Sequence, residues 1–544
     1  MISYNIANAL AETAARFPER TGLIVPNRSG VRRWTLSELD QTVDAYAHGL
    51  VAAGVCRGSR VVLMVQPSKE FICLAFALFR VGAPVILIDP GMGYANLLRC
   101  IGSVSPTVFI GVPKAHIFRL FFPKVFSTVR TTICVGRNGL GLFGASLSRL
   151  AKQGSGAFPA EDTAMDDLAA IIFTTGSTGP PKGVRYEHGV FHAQLELIRD
   201  YYRITPQDVD QPAFPLFALF STALGACAVI PEMDAAHPAR VDPARFISTI
   251  LEFQVTYSFG SPAIWNVVSA YCLKHQITLP SLRLILMAGA PISGELIKRV
   301  KQILPAAAQI HTPYGATESL PVTSITDQEI LASTWEQSQK GAGICVGRPL
   351  PGIDLRIVRA VDGPISAWRE AEPLPVGAIG EIVVKGSVVT RAYEGNDREN
   401  ELAKVADEPG FRHRMGDVGY LDQGGRLWFC GRKAHRVEID RDRILYTIPC
   451  EAIFNRHPAV FRSALVGVPS IDRSKAQIPV LIVELNRGAS GSKQLLAELA
   501  LLAQTHDHTR EIRHFLIHPA FPVDIRHNAK IFREKLAVWA ATRI

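Results

Sequence analysis

Nowhere in this chain do two cysteines stand close enough to form a C-x-x-C pair. The nine that occur are scattered singly from Cys56 to Cys450, an odd number that does not read as a disulfide framework. Several sit in apolar runs such as 71–74, where cysteine behaves as a small core residue. A reducing, cytoplasmic setting is expected. There is no run of five Lys or Arg and no zinc-finger or RNA-binding motif, so no nucleic-acid partner is expected. The first residues, Met-Ile-Ser-Tyr-Asn, lack a basic segment leading into an apolar one, and a signal peptide is not expected. Charge is missing altogether from 211 to 231, a length that could span a bilayer. Pro212, Pro215 and Gly225 interrupt that stretch and basic flanks are absent, so the expectation is a buried strand followed by a buried helix, not a transmembrane segment. Internal repeats and low-complexity tracts are absent too.

What is present is 544 residues, 48% hydrophobic and 20% charged. That composition is globular, and the length calls for two or more domains. The formal charge is +9. From Gly431 onward there are 18 Lys and Arg against 11 Asp and Glu. This placement reads either as a basic surface that aids solubility or as a basic lid facing a polyanion.

Helical spacing covers 6–17 and 36–53. Short apolar runs then recur at 60–65, 83–88, 107–111, 132–135, 168–173, 256–259 and 283–288, with helical stretches between them. Apolar strands alternating with helices predict an α/β protein with mostly parallel sheets covered on both faces. From about Gly352 the texture changes: 353–358 and 380–385 alternate with period two, as half-buried antiparallel strands do. The last segment, 431–544, has a small α+β pattern of its own, with a strand near 479–485 and a helix at 533–541. One stretch, 115–126, mixes four Phe with basic residues. It suits a membrane surface, a protein partner, a greasy substrate mouth or simple packing of a surface helix.

The densest chemical signal runs from Ile171 to Val184. An apolar strand enters a loop of hydroxyls and glycines, Thr174-Thr175-Gly176-Ser177-Thr178-Gly179, and ends on Lys182 after two prolines. Glycines let backbone N–H groups approach phosphate oxygens, hydroxyls add donors, and a lysine supplies a mobile point charge. The string is therefore a polyphosphate cradle, but not the loop G-x-x-x-x-G-K-[ST], because no hydroxyl follows Lys182.

At this loop the chain resembles the adenylate-forming superfamily of acyl-CoA synthetases, luciferases and peptide-synthetase adenylation domains. Further motifs follow in order, so the resemblance spans nearly the whole chain. Tyr314-Gly315-Ala316-Thr317-Glu318 resembles the nucleotide motif, which implies that Tyr314 stacks on adenine, Thr317 bonds the α-phosphate and Glu318, with Thr178, holds Mg²⁺. Gly289-Ala290-Pro291 matches the adenine-side loop, Asp417 the acceptor for the ribose hydroxyls, and Arg432 a second ribose contact. Lys530, in His527-Asn528-Ala529-Lys530-Ile531, falls at the catalytic lysine, which stabilises negative charge building between carboxylate and α-phosphate. The resemblance implies ATP and Mg²⁺ as cofactors. It also implies a large domain over 1–430, of sheets flanked by helices with a β-barrel-like subdomain, and a small mobile lid over 431–544.

Two positions depart from the pattern: Ala218 stands where His or an aromatic gates the acyl site in many CoA ligases, and Ala434 where the hinge commonly has Asp. The wording around 88–93, 214–220 and 313–321 is similar to one subgroup, the olefin β-lactone synthetases. That likeness implies adenylation of a long-chain 2-alkyl-3-hydroxy acid, then attack by its own 3-hydroxyl to close a β-lactone. The nucleophile is tethered, so proximity replaces a second substrate and a CoA gate becomes dispensable. The lactone would pass to a decarboxylase, which implies contact with other hydrocarbon-pathway enzymes. The rival expectations are a long-chain acyl-CoA or acyl-AMP ligase, and an inactive nucleotide-binding scaffold.

Overall fold

The computed structural model describes residues 3–27, 30–174, 179–214, 216–440, 443–470, 476–523 and 531–544. Its centre is the helix Lys69–Val81, buried at every position from Phe71 to Val81. A helix apolar all round has to be covered on all sides. Ser68 caps its start by accepting from the Phe71 N–H, and Gly82, at φ +71°, ends it in the left-handed conformation that a side chain would disfavour. Its single buried cation, Arg80, is paired with Asp40 and Asp44 on the neighbouring helix Leu36–Ala52.

Two large sheets flank this core. One has seven strands, ordered Ala145–Ser146, Thr131–Cys134, Val108–Gly111, Val61–Met64, Val85–Leu87, Leu168–Thr174 and Lys182–Glu187. All neighbours are parallel except the last two, which form an antiparallel hairpin. The other is a mixed fourteen-stranded sheet. Its parallel part includes Tyr257–Gly260, Leu284–Met287 and Gln309–Ala316. The period-two segments appear in its antiparallel part as Asp354–Val358 and Gly380–Lys385, paired with each other. With Phe411–Leu421 and Leu427–Arg432 these strands form an antiparallel group of their own, joined to the rest of the large sheet through Ile344–Pro349.

The uncharged stretch does not become one long element. The strand expected at its front is only Val209–Asp210; a seven-residue helix Phe217–Ala223 and the strand Cys227–Val229 follow. Pro212, which has no N–H to give a ladder, stops the first strand early. Among the described residues no helix is long and apolar enough to cross a membrane.

The smaller C-terminal domain holds a three-stranded sheet, Val460–Pro469, Gln477–Leu485 and His514–Ile517. It packs its own cores, one running from Val437 to Ile512 and the other from Ala464 to Ala540.

Candidate active site

The hairpin that carries the phosphate-loop motif sets Thr174 directly opposite Lys182 in antiparallel register. The loop between them thus leaves and re-enters the sheet at one level. Thr175, Gly176, Ser177 and Thr178 lie outside the described residues. Thr174, Gly179 and Lys182 all line one cavity of about 2200 Å³. Lys182 Nζ is ion-paired with Glu399 and lies 5.2 Å from the centre of the Tyr393 ring.

Across the cavity a second hairpin presents the nucleotide motif. Ala316 pairs with Ser319, leaving Thr317 and Glu318 as its two turn residues. Gly315 is required there by space: a Cβ would stand 2.6 Å from the Ser319 carbonyl oxygen. The turn is tied down from three directions. The Tyr186 hydroxyl donates to the Thr317 carbonyl at 2.6 Å. Thr390 donates to the Glu318 carbonyl through its N–H at 2.9 Å and its hydroxyl at 3.1 Å. The Tyr393 hydroxyl donates to Glu318 Oε1 at 2.8 Å.

Asp417 and Arg432 are opposed across two adjacent strands, with Arg432 Nη1 2.9 Å from Asp417 Oδ1. The Tyr314 hydroxyl donates to Asp417 Oδ2 at 2.6 Å. Burial raises the Asp417 pKa, while Arg432 and Tyr314 act in the opposite sense. Burial and the Asp417 charge push the Tyr314 hydroxyl well above its ordinary range, so it remains a donor. Gly289, at φ +97°, turns the chain just past the strand Leu284–Met287. Gly289, Ala290 and Pro291 line the cavity together with Tyr314, Gly315, Ala316, Thr317, Glu318, Asp417 and Arg432.

Lys530 lies outside the described residues. Ile531 and Arg533, which follow it, line the same cavity. Arg533 is forked onto Glu451, with Nη2 2.7 Å from both carboxylate oxygens. At the expected hinge, Lys433 is tied to Glu381 at 3.0 Å and Arg436 to Asp362 at 3.0 Å.

Four residues here were not singled out from the sequence: Tyr393, Glu399, Thr390 and Lys404. The Lys404 ammonium donates to the Thr390 carbonyl, and burial drives its pKa down to about 7 against the pull of Glu318 and Glu187. The sequence carried one usable signal, an acidic and aromatic cluster at 393–401 just before the Asp417 strand. Ala218 lies in the helix Phe217–Ala223. It is fully buried and off the cavity wall, because one step along a helix turns a side chain by about 100°. Phe217 faces the cavity instead, stacked on Phe259 with ring centres 3.8 Å apart.

One part of the remaining wall is apolar, with Phe79, Phe191, Leu195, Phe220 and Leu224 among its residues. A cradle for phosphates, a carboxylate for vicinal hydroxyls and a greasy chamber thus share one space. That arrangement suits activation of a hydrophobic acid by a nucleotide.

Comparison with known proteins agrees. Residues 10–394 match the AMP-binding enzyme family, and the chain belongs to it: it is an ATP-dependent, acid-adenylating enzyme. Solved structures share the fold, among them ATP-bound MatB from Rhodopseudomonas palustris, with a TM-score of 0.77 at 21% identity over 99% of both chains. Within the family the chain belongs with the olefin β-lactone synthetases. It is 43% identical to that of Stenotrophomonas maltophilia over 99% of its own length and 98% of the relative's. To that of Xanthomonas campestris pv. campestris it is 44% identical, over 99% and 97%.

Proposed function

We propose that the enzyme adenylates a long-chain 2-alkyl-3-hydroxy acid and lets the substrate's own hydroxyl close a β-lactone. In the first step a carboxylate oxygen attacks the α-phosphorus of ATP and pyrophosphate leaves. In the second the 3-hydroxyl oxygen attacks the acyl carbon, the bond to the phosphate breaks, AMP departs and the hydroxyl proton is released. One observation carries this reading: the phosphate cradle and the apolar chamber are a single cavity of about 2200 Å³. Its wall runs from Thr174 and Lys182 to Phe217, Phe220 and Leu224 and also takes in Thr447, Glu451 and Arg462 of the C-terminal domain, so nucleotide and alkyl substrate would share one space.

The residue roles form part of the proposal. Thr174, Thr175, Gly176, Ser177, Thr178, Gly179 and Lys182 cradle the phosphates. Gly289, Ala290, Pro291, Tyr314, Gly315 and Ala316 border the adenine. Asp417 accepts from the ribose hydroxyls beside Arg432. Thr317 contacts the α-phosphate, and Lys530 meets the reacting carboxylate where negative charge builds. Lys182 exchanges Glu399 for phosphate when nucleotide binds.

Among the described residues no three His, Cys, Asp or Glu gather to form a metal cage. Among the described residues Glu318 bonds a side chain, that of Tyr393, through Oε1, which leaves Oε2 for a cation. A single carboxylate completed by phosphate oxygens and water fits Mg²⁺, which rarely takes an all-protein cage. When bound, the ion neutralises phosphate charge; Glu318 and Thr178 would hold it. We further divide the chain into a catalytic part, 1–430, and a lid, 431–544, and place the enzyme in the cytoplasm, handing its lactone to a decarboxylase.

Incubation with ATP, Mg²⁺ and a 2-alkyl-3-hydroxy acid, followed by proton NMR, tests the reading. Lactone ring protons and AMP should appear without CoA. A product that forms only when CoA is added, as a thioester, would instead establish an acyl-CoA ligase.

A further inference from the structure

Adenylation gives no role to the stretch 115–126, which the structure places on the surface beside the cavity. The helix Pro113–Phe121 is anchored by Ala115 and His116, both buried. His116 Nε2 lies 3.1 Å from the Ile133 carbonyl oxygen, and its ring stacks on Phe143. The opposite side faces water with Ile117, Leu120 and Phe121, the last 75% exposed, and Phe122 follows at 38%. The turn Gly139–Gly141, held beside the helix through Phe143, exposes Leu140 fully and Leu142 at 64%. Tyr94, 74% exposed, stacks on Phe118 with ring centres 5.6 Å apart. A cluster of large exposed apolar side chains marks an interaction surface, whereas scattered single ones do not.

Position and charge indicate what it meets. Tyr94, Lys114 and Phe118 belong to both this face and the wall of the acyl cavity, so the patch forms part of the cavity's rim. From Pro90 to Ala160 there are eight Lys and Arg and not one Asp or Glu, a net +8 in 71 residues. Among the described residues none of these eight forms a salt bridge, and Lys114, Lys124 and Arg137 are exposed around the apolar side chains. Exposed aromatic and aliphatic groups ringed by unpaired cations of one sign complement an anionic lipid surface, with the apolar groups at acyl depth and the cations at the phosphates.

We propose that this face docks the enzyme on an anionic bilayer, setting the mouth of the acyl cavity against the lipid. An acid with two alkyl chains then passes from membrane to active site without crossing water. This purpose rests on the substrate reading given above; the docking itself does not, and it can be measured without turnover.

The full-length protein is sedimented with vesicles of phosphatidylcholine alone or mixed with phosphatidylglycerol. Partition into the mixed vesicles should exceed that into neutral ones by about tenfold at low salt and fall as salt rises. Leu120→Asp combined with Phe121→Asp should abolish it, and so should Lys124→Glu combined with Arg137→Glu. Both double variants should turn over a short-chain, water-soluble 3-hydroxy acid at the wild-type rate, since none of the four residues lines the cavity. If the aspartate pair fails to fold, the charge-reversal pair decides alone. Absence of wild-type partition, or undiminished partition of the charge-reversal variant, would overturn the proposal. So would vesicle-indifferent wild type whose assembly size on gel filtration shrinks in the variants, which would make the face a protein contact.

Discussion

Two aspartates in this cavity differ in what surrounds them. Asp417 accepts from the Tyr314 hydroxyl on Oδ2 and is ion-paired with Arg432 through Oδ1, which pre-orients it as an acceptor. Asp417→Asn keeps the shape but replaces an acceptor with a donor, so the KM for ATP should rise roughly tenfold or more while kcat changes less, the pattern of lost uniform binding. Initial rates across ATP concentrations check this. Asp210 is different. One of its oxygens accepts from Ser221, the other has no partner among the described residues, and burial pushes its pKa up to about 8. A carboxyl whose folded pKa lies above its unfolded value contributes stability below the unfolded value, near 4, and loses it as pH rises toward 8. In that window stability should fall by up to about 1.4 kcal/mol per pH unit on this account. Asp210→Asn should flatten the slope, read by urea unfolding at pH 5 and pH 8.

Hairpins do most of the positioning. The turn carrying Thr317 and Glu318 was legible because its motif is contiguous, and the close approach at Gly315 explains the glycine. Gly315→Ala must push Ser319 and Leu320 aside; overpacking of this kind costs about 1–3 kcal/mol. Activity should drop further than stability because Glu318 moves with the turn, a contrast that paired thermal-melt and pyrophosphate-release measurements would reveal. The parallel strands were legible too, since a strand buried on both faces reads as a continuous apolar run. The partners Tyr393, Glu399 and Lys404 were not. Tyr393 reaches Glu318 from a loop position 75 residues on, Glu399 reaches Lys182 from the helix Asp397–Ala403, and Lys404 meets the Thr390 carbonyl; no local period encodes such contacts. The direction of the Ala218 side chain was not legible for a related reason: motif alignment fixes position along the chain but not which way a helix turns its side chains.

At the scale of the whole molecule, the proposed roles require the C-terminal domain, which has its own cores, to bring Lys530 to a site built largely by the rest of the chain. Ile531 seats in the C-terminal core with Leu536 and Ala540 while also lining the cavity. Two residues further on, Arg533 is locked to the buried Glu451, whose pKa burial raises despite the arginine. Lys530 thus directly precedes in sequence a segment anchored from within its own domain, and the role proposed for it would depend on that anchor. The two roles separate by mutation. Lys530→Ala should leave thermal unfolding unchanged and lower the adenylation rate by about 10²–10³, the usual loss when one preorganised charge is removed from a transition state. Arg533→Met leaves Glu451 buried and unpaired, which should cost the C-terminal domain about 3–5 kcal/mol and lower the rate only through misplacement of Lys530. Adding glycerol or lowering temperature, which favours the folded domain, should then recover activity in Arg533→Met and recover none in Lys530→Ala. Equal recovery in both would mean that Lys530 acts through structure and not through its charge.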